Sequence, residues 1–269
     1  MDELFKGLLT AGTVLLVMTA ARHGGRRVAG LVAALPTITA PTLAWLAHDE
    51  GMPFAISAAI GSVAACAMLA VFALGYARAA RHGGAAVALL CGLGGALVMA
   101  VPAKAASSHL PGALVLALVS CALTFVAMPR LGAAGPGRIR HRPVFCSMWL
   151  IAAMAGLLTA VATLIGPTLG GFAAGLLSSL PLITGPVAMA EHAQGGHRAA
   201  AHFLRGYVGG LFGKAAFGTV FVLLAPRAGA VAALSLACAC ACLLSTVRLR
   251  LPPLPGVGLP PLRTSRSTE

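Results

Sequence analysis

Long apolar runs separated by short polar stretches dominate the chain. Each run is long enough to cross a hydrocarbon core of ~30 Å as an α-helix. The runs, called spans 1 to 9 below, cover residues 4–21, 28–48, 53–76, 85–105, 111–128, 144–166, 168–190, 199–225 and 228–248. This pattern predicts an all-α, polytopic membrane protein of about nine transmembrane helices.

The composition supports the same fold class. Of 269 residues, 59% are hydrophobic and only 9% are charged, whereas about 25% are charged in an ordinary soluble domain. Most of the surface must therefore face lipid, where helices satisfy their own backbone groups. Aromatic residues make up 5%, which disfavours a porin-like barrel with its aromatic girdles. We expect the lipid bilayer to be a partner and nucleic acid not to be one, despite the net charge of +13.

The positive charges indicate an orientation. Lys and Arg concentrate in the loops after spans 1, 3, 5 and 7 and in the C-terminal tail, while the N-terminus and the other loops contain only Lys6, Lys104 and Arg227. Cytoplasmic loops carry the positive excess in multi-pass proteins. We therefore expect the N-terminus outside and the C-terminus in the cytoplasm.

The chain contains an internal repeat at an offset of 145 residues. Eight of the thirteen positions from Ala29 to Pro41 are identical to their partners between Ala174 and Pro186. The pairs Gly51/Gly196, Gly61/Gly206 and Phe72/Phe217 continue the register. The offset pairs spans 1–4 with spans 6–9. An offset of five spans is odd, so the two halves should have opposite orientations.

The repeat divides the chain into four parts. Residues 1–106 form a first four-helix repeat, and 107–142 contain connector span 5 and a cytoplasmic loop. Residues 143–250 form the second, inverted four-helix repeat, and 251–269 form an irregular cytoplasmic tail.

The repeated element has two prolines five residues apart inside an apolar span. It runs from Leu35 to Pro41 in span 2 and from Leu180 to Pro186 in span 7. Each proline removes a backbone donor, so the segment between them should kink or unwind and its carbonyls need partners. Two interpretations stay open: the kinks only shape the bundle, or they form a substrate path at the midplane. The candidate binding residues are Pro36, Thr37, Thr39, Pro41, Pro181, Thr184 and Pro186.

Two cations lie inside span 8. Lys214 lies about fifteen residues into span 8, which begins at residue 199. A cation this deep in a span usually faces a cavity or a partner. The six acidic residues lie near chain ends or span ends, so Lys214 is either a seat for an anion or a side chain that snorkels to the outside. Arg205 is a second candidate, although its shallower position favours a snorkel to the cytoplasm.

Titratable residues cluster at the cytoplasmic side of spans 7 and 8. Glu191, His192 and His202 are candidates for gating or proton-linked roles, or are residues of solvent-exposed loops without such a role. Cys238, Cys240 and Cys242 do not share one helix face and lack a completing ligand, so no metal site is expected. No catalytic constellation or cofactor motif is present, and an enzyme is not expected.

The first half resembles the GlpM family of bacterial inner-membrane proteins. The resemblance rests on Lys6-Gly7-Leu8, Ala29-Gly30-Leu31, Pro36-Thr37 and Gly51, within residues 3–100. It implies a multi-pass protein of the bacterial inner membrane. Members look like single four-helix units, so this chain would be a fused, inverted pair. The second half departs where Ile151 replaces Lys6 and Leu182 replaces Thr37. The family's association with exopolysaccharide production implies a polysaccharide-synthesis machinery as a partner.

These features favour a secondary transporter or channel for a small polar, anionic solute, with its site between the proline elements and span 8. The alternatives are a flippase for a lipid or lipid-linked sugar and a non-transporting membrane subunit that supports exopolysaccharide production. A polar midplane cavity would favour transport, and a dry interface would favour the subunit.

Overall fold

A computed structural model describes residues 35–105, 109–128, 170–181 and 184–250, with single positions between 5–15 and 153–169. The described part is helical and contains no β-strand. Its helices are α1 (Thr39–Asp49), α2 (Met52–Ala79), α3 (Ala85–Ala105), α4 (Leu110–Ala127), α5 (Gly171–Leu177) and α6 (Thr184–Arg250). Within this part, α2, α3, α4 and α6 are long and apolar enough to cross a membrane. The structure thus supports an α-helical membrane protein.

Helix α6 is broken at two glycines. Non-helical backbone at Gly196 and Gly229 divides it into segments 184–195, 197–228 and 230–250, called α6a, α6b and α6c below. Gly196 has φ +70° and Gly51, which precedes α2, has φ +89°. Glycine is the residue that adopts such angles without strain, which explains why the chain turns there.

The breaks in the two halves lie at the same register. Helix begins at Thr39 and again 145 residues later at Thr184. Gly51 and Gly196, two of the four described glycines with positive φ, differ by the same offset. The helical stretches 85–105 and 230–250 differ by it as well. Helix boundaries therefore fall at equivalent positions of the sequence repeat.

Helix α2 is the centre of the described structure. It packs against α1, α3, α4, α5 and α6, and its small side chains are almost all buried. In contrast, α3, α4 and α6c expose large apolar side chains along one side. These include Leu97, Val98, Val126, Val231 and Leu243. Such a surface fits lipid rather than water.

The backbones of α2 and α5 touch through glycines. A side chain on Gly175 would collide with the carbonyl oxygen of Ala58, and one on Gly61 would collide with that of Phe172. Small residues allow helices in membranes to approach this closely, where van der Waals packing holds them together. The short helix α5 is thereby fixed against the N-terminal half of α2.

Two aromatic clusters form the core. Phe72 and Tyr76 of α2 belong to one cluster, and Phe217 and Phe221 of α6b belong to the other. The two pairs differ by 145 residues, and all four side chains are fully buried. Each cluster also takes in residues from the opposite half: Ala188 of α6a joins the first, and Leu43 of α1 joins the second.

Several sequence predictions can be compared with these helices. Spans 3, 4 and 5 agree with α2, α3 and α4, and the boundary between spans 8 and 9 agrees with the break at Gly229. Span 7 is interrupted between α5 and α6. Spans 1 and 6 are described only in part, at residues 5, 7–12 and 15 and at residues 153, 156–157, 160–161 and 163–165. The residues 129–150 and the tail 251–269 lie outside the described part.

We expect Gly175→Val to destabilise the protein by about 3 kcal/mol, because the valine must push α5 away from α2. Gly94→Val is the matched control, since Gly94 is also helical but has open space around its Cβ position. It should change stability by less than about 1 kcal/mol. Unfolding of the two purified variants by a denaturing detergent measures the difference. Equal losses would contradict the close α2–α5 contact.

Candidate functional site

The second proline element forms a turn between α5 and α6. Residues 178–181 are non-helical, and the Ser178 hydroxyl donates a hydrogen bond to the Gly175 carbonyl at 2.9 Å. Helix resumes at Thr184, so Pro186 lies in the first turn of α6, where a missing N–H costs little. The described non-helical residues therefore end at Pro181, and helix is present again before the second proline instead of only after it.

Lys214 binds this turn from α6b. Its Nζ donates a hydrogen bond to the Ser179 Oγ at 3.0 Å, and the Ser179 hydroxyl donates to the Ser62 Oγ at 3.2 Å. The exposed fractions of Lys214, Ser179 and Ser62 are 7%, 4% and 1%. The amino group of Lys214 thus lies inside the protein and does not snorkel to the surface. The chain of three polar groups joins α2, the turn and α6b.

A second polar contact lies on the other side of the turn. The Tyr207 hydroxyl faces the side chain of Thr184, and both residues are buried. Tyr207 and Lys214 are seven residues apart on α6b, so they lie on the same helix face. The two residues of α6b thus contact the proline element on both sides of Pro181.

The first proline element shares one backbone hydrogen bond with the second, because Ala40 N–H bonds the Pro36 carbonyl as Gly185 N–H bonds the Pro181 carbonyl, but its environment differs. Thr37 N–H bonds the Leu35 carbonyl at 2.7 Å, and Ala40 N–H bonds the Pro36 carbonyl at 2.8 Å. The Thr42 hydroxyl donates to the Ile38 carbonyl at 2.9 Å, and the same carbonyl accepts the Thr42 N–H at 3.1 Å. Thr39 is buried, and Pro41 lies in the first turn of α1. These described hydrogen bonds stay within the element.

Arg205 lies away from the hydrogen-bonded series Lys214–Ser179–Ser62, at the C-terminal end of α4. Its guanidinium donates hydrogen bonds to the carbonyls of Phe125 at 3.2 Å and Met128 at 2.8 Å. It also lies 4.4 Å from the centre of the Phe125 ring. A cation satisfies the last carbonyls of a helix and interacts favourably with its dipole. The structure therefore gives Arg205 a capping role for α4.

One of the candidates Glu191, His192 and His202 acquires a partner that sequence reasoning missed. The ring of His192 meets the ring of Tyr76 edge-on, with centroids 6.2 Å apart. Among the described residues, the Tyr76 hydroxyl, His192 Nδ1 and His202 Nε2 are buried without a hydrogen-bond partner. Glu191 is half-buried beside His192. The described residues contain no group of three His, Cys, Asp or Glu side chains that could hold a metal ion.

Ser62 and Ser179 also escaped sequence reasoning. Both were close to singled-out positions: Ser62 follows Gly61 of the repeat, and Ser179 precedes Leu180 of the proline element. A serine in an apolar span is a common residue that usually bonds its own helix. The pattern of the chain therefore gave no signal that these two hydroxyls meet Lys214.

We expect Ser179→Ala to destabilise the protein by about 1.5–3 kcal/mol, because it removes the hydrogen-bond acceptor of a buried ammonium. Ser178→Ala is the matched control from the same turn, and it should cost about 1 kcal/mol or less. In a Lys214→Met background the two substitutions should become equivalent. Detergent-induced unfolding of the unmodified protein, of Lys214→Met and of each serine substitution in both backgrounds gives these double-mutant cycles. If Ser179→Ala lowers the free energy of unfolding as much in the Lys214→Met background as in the unmodified protein, the Lys214–Ser179 contact contributes nothing to stability.

No protein-family model, no curated protein and no solved structure matches this chain. The resemblance to the GlpM family stays a prediction.

Proposed function

We propose that this protein is a secondary transporter or channel for a small polar, anionic solute, which binds at Lys214 beside the second proline element. One observation carries the proposal. The ammonium of Lys214 is buried in a membrane-spanning helix and hydrogen-bonds to the turn that interrupts span 7.

A buried cation needs compensation that serine hydroxyls do not provide. Placing a lysine at the bilayer centre costs about 2.5 kcal/mol or more. A neutral hydroxyl supplies one hydrogen bond but no opposite charge, and none of the six acidic residues lies in the middle of an apolar span. Intramembrane ionisable residues commonly mark substrate or ion paths. An anion bound between Lys214 and Ser179 would neutralise the charge where it is most costly.

The proposal includes an architecture of nine spans in two inverted halves joined by connector span 5. Support comes from the equal register of the helix starts, of the positive-φ glycines and of the segments 85–105 and 230–250. The equivalent aromatic pairs in the two core clusters add to it. Inverted repeats with broken helices at their interface are a recurring plan of secondary transporters. The distribution of Lys and Arg favours a cytoplasmic C-terminus, and the location proposed is the bacterial inner membrane.

Alternating access then requires the turn to move. Ser62, Ser179 and Lys214 are all buried, so a solute reaches them only when α5 and the turn 178–181 shift relative to α2. Gly170, which precedes α5, has φ +84°, and Gly196, which ends α6a, has φ +70°. Transporter hinges are a few terminal residues that absorb such changes in backbone angle. The segment 171–195 between these glycines is the proposed moving element.

The first test is a ligand screen by thermal unfolding of the purified full chain. The panel contains carboxylates, phosphates, sugar phosphates and polyprenyl-phosphate analogues. A ligand specific for the folded state should stabilise it by ~2.7 kcal/mol at a hundred times its dissociation constant. We expect Lys214→Gln to abolish this shift and Lys104→Gln to preserve it, because Lys104 is exposed at the end of α3.

Two outcomes would count against the proposal. A shift that survives in Lys214→Gln would place the ligand elsewhere. The absence of any shift in a folded sample would favour the non-transporting subunit, and a shift with polyprenyl-phosphate analogues alone would favour the flippase.

The topology has a separate test. Reporter fusions after Asp49 and after His82 should report opposite sides of the membrane, outside for Asp49 and cytoplasmic for His82. The expected difference follows because the single helix α2 connects the two positions. If both fusions report the same side, α2 does not span the membrane and the inverted arrangement fails.

A further inference from the structure

The contact between α2 and α6a leaves a polar atom on each side without a hydrogen bond. The rings of Tyr76 and His192 meet edge-on, with centroids 6.2 Å apart, and Tyr76 is fully buried. Among the described residues, neither the Tyr76 hydroxyl nor His192 Nδ1 has a hydrogen-bond partner, and neither atom is accessible to water. Because a buried polar group without a partner is costly, this contact is weaker than an apolar contact of the same shape.

The equivalent contact in the repeat is apolar. The offset of 145 residues pairs Tyr76 with Phe221 and His192 with Ala47. Phe221 is fully buried, and Ala47 packs against the core cluster that contains it. Packing at this place in the repeat therefore requires neither a hydroxyl nor an imidazole. Both polar groups occur together, at one of the two equivalent contacts, and they need an explanation other than packing.

The contact lies where the proposed moving element 171–195 meets α2. His192 belongs to this element and precedes the positive-φ Gly196 by four residues. Tyr76 lies in the last turn of α2, beside Arg78, at the end that the proposed orientation places in the cytoplasm. The turn that binds Lys214 directly precedes α6a. Separation of α6a from α2 would therefore move this turn and bring water to both polar atoms.

We propose that Tyr76 and His192 form the cytoplasmic gate of the Lys214 site, and that their unsatisfied polar atoms keep the closed gate weak enough to open. Water satisfies both atoms only in the open state, so the polar pair shifts the equilibrium toward opening. An apolar pair would hold α6a against α2. The gate depends on the proposed moving element and orientation, but not on which anion binds.

Hydrogen–deuterium exchange of the full chain in lipid nanodiscs tests the gate, because amide exchange reports local opening. We expect Tyr76→Phe to slow the exchange of α6a about tenfold, because it removes one unsatisfied group from the closed state. His192→Leu should slow it in the same way. Tyr207→Phe is the matched control, since Tyr207 is the other tyrosine of the chain and its buried hydroxyl faces Thr184. It should speed the exchange, because it removes a contact that holds α6a closed.

A gate requires the effect to be local. Exchange of α4 should be unchanged in Tyr76→Phe, whereas equal slowing in α4 and α6a would show a general gain of stability and overturn the gate. Unchanged or faster exchange of α6a in Tyr76→Phe or in His192→Leu would overturn it as well, and so would slower exchange in Tyr207→Phe.

The exchange measurement needs no ligand, so it separates the gate from the proposed function. Slower exchange of α6a in Tyr76→Phe and His192→Leu, with no thermal shift from any anion, would support the opening motion and count against the anion site. A thermal shift that requires Lys214, with unchanged exchange in these two variants, would reject the gate alone.

Discussion

The backbone contact between α2 and α5 determines what surrounds Lys214. Because Gly61 and Gly175 have no side chains, α5 lies directly on α2. The turn that follows α5 is then held close enough to α2 for Ser179 to bond Ser62. Lys214 completes the chain from α6b. A larger residue at either glycine would separate the two backbones and leave the ammonium without this partner.

The helix breaks result from the same local arrangement of prolines and glycine, which occurs at two places in the chain. A proline in the break cannot donate a backbone hydrogen bond, and a proline in the first turn of the next helix does not need to. Pro36 and Pro41 occupy these two positions in one half, and Pro181 and Pro186 occupy them in the other. Glycines at 51 and 196 then end the short helices with angles that other residues rarely adopt. The repeated stretch of amino acids is therefore followed in both places by a turn, a short helix and a long helix, in that order.

The two halves nevertheless differ in polarity. Lys214 stands where the first half has Leu69, and Tyr207 stands where the first half has Ser62. The polar contacts described around Pro181 join residues from both halves, whereas those around Pro36 are local. Equivalent positions of the sequence repeat thus carry different polar groups. Under the proposed function, this asymmetry places one anion site at the second proline element.

The membrane-type helices and their ends were determined by the sequence itself. The apolar runs predicted the ends of α3 and α4 to within a residue, and the prolines predicted the interruption of span 7. These features could be read from the sequence because apolar periodicity, glycine and proline act over a few neighbouring residues. The contacts between distant residues were decided only by tertiary structure. The hydroxyl of Ser179 could have bonded its own helix, and Arg205 could have reached the cytoplasmic surface. Which partner each group found depends on how closely the helices pack and at which angle they cross. That information is spread over many weak contacts and is not present in any short stretch of the chain.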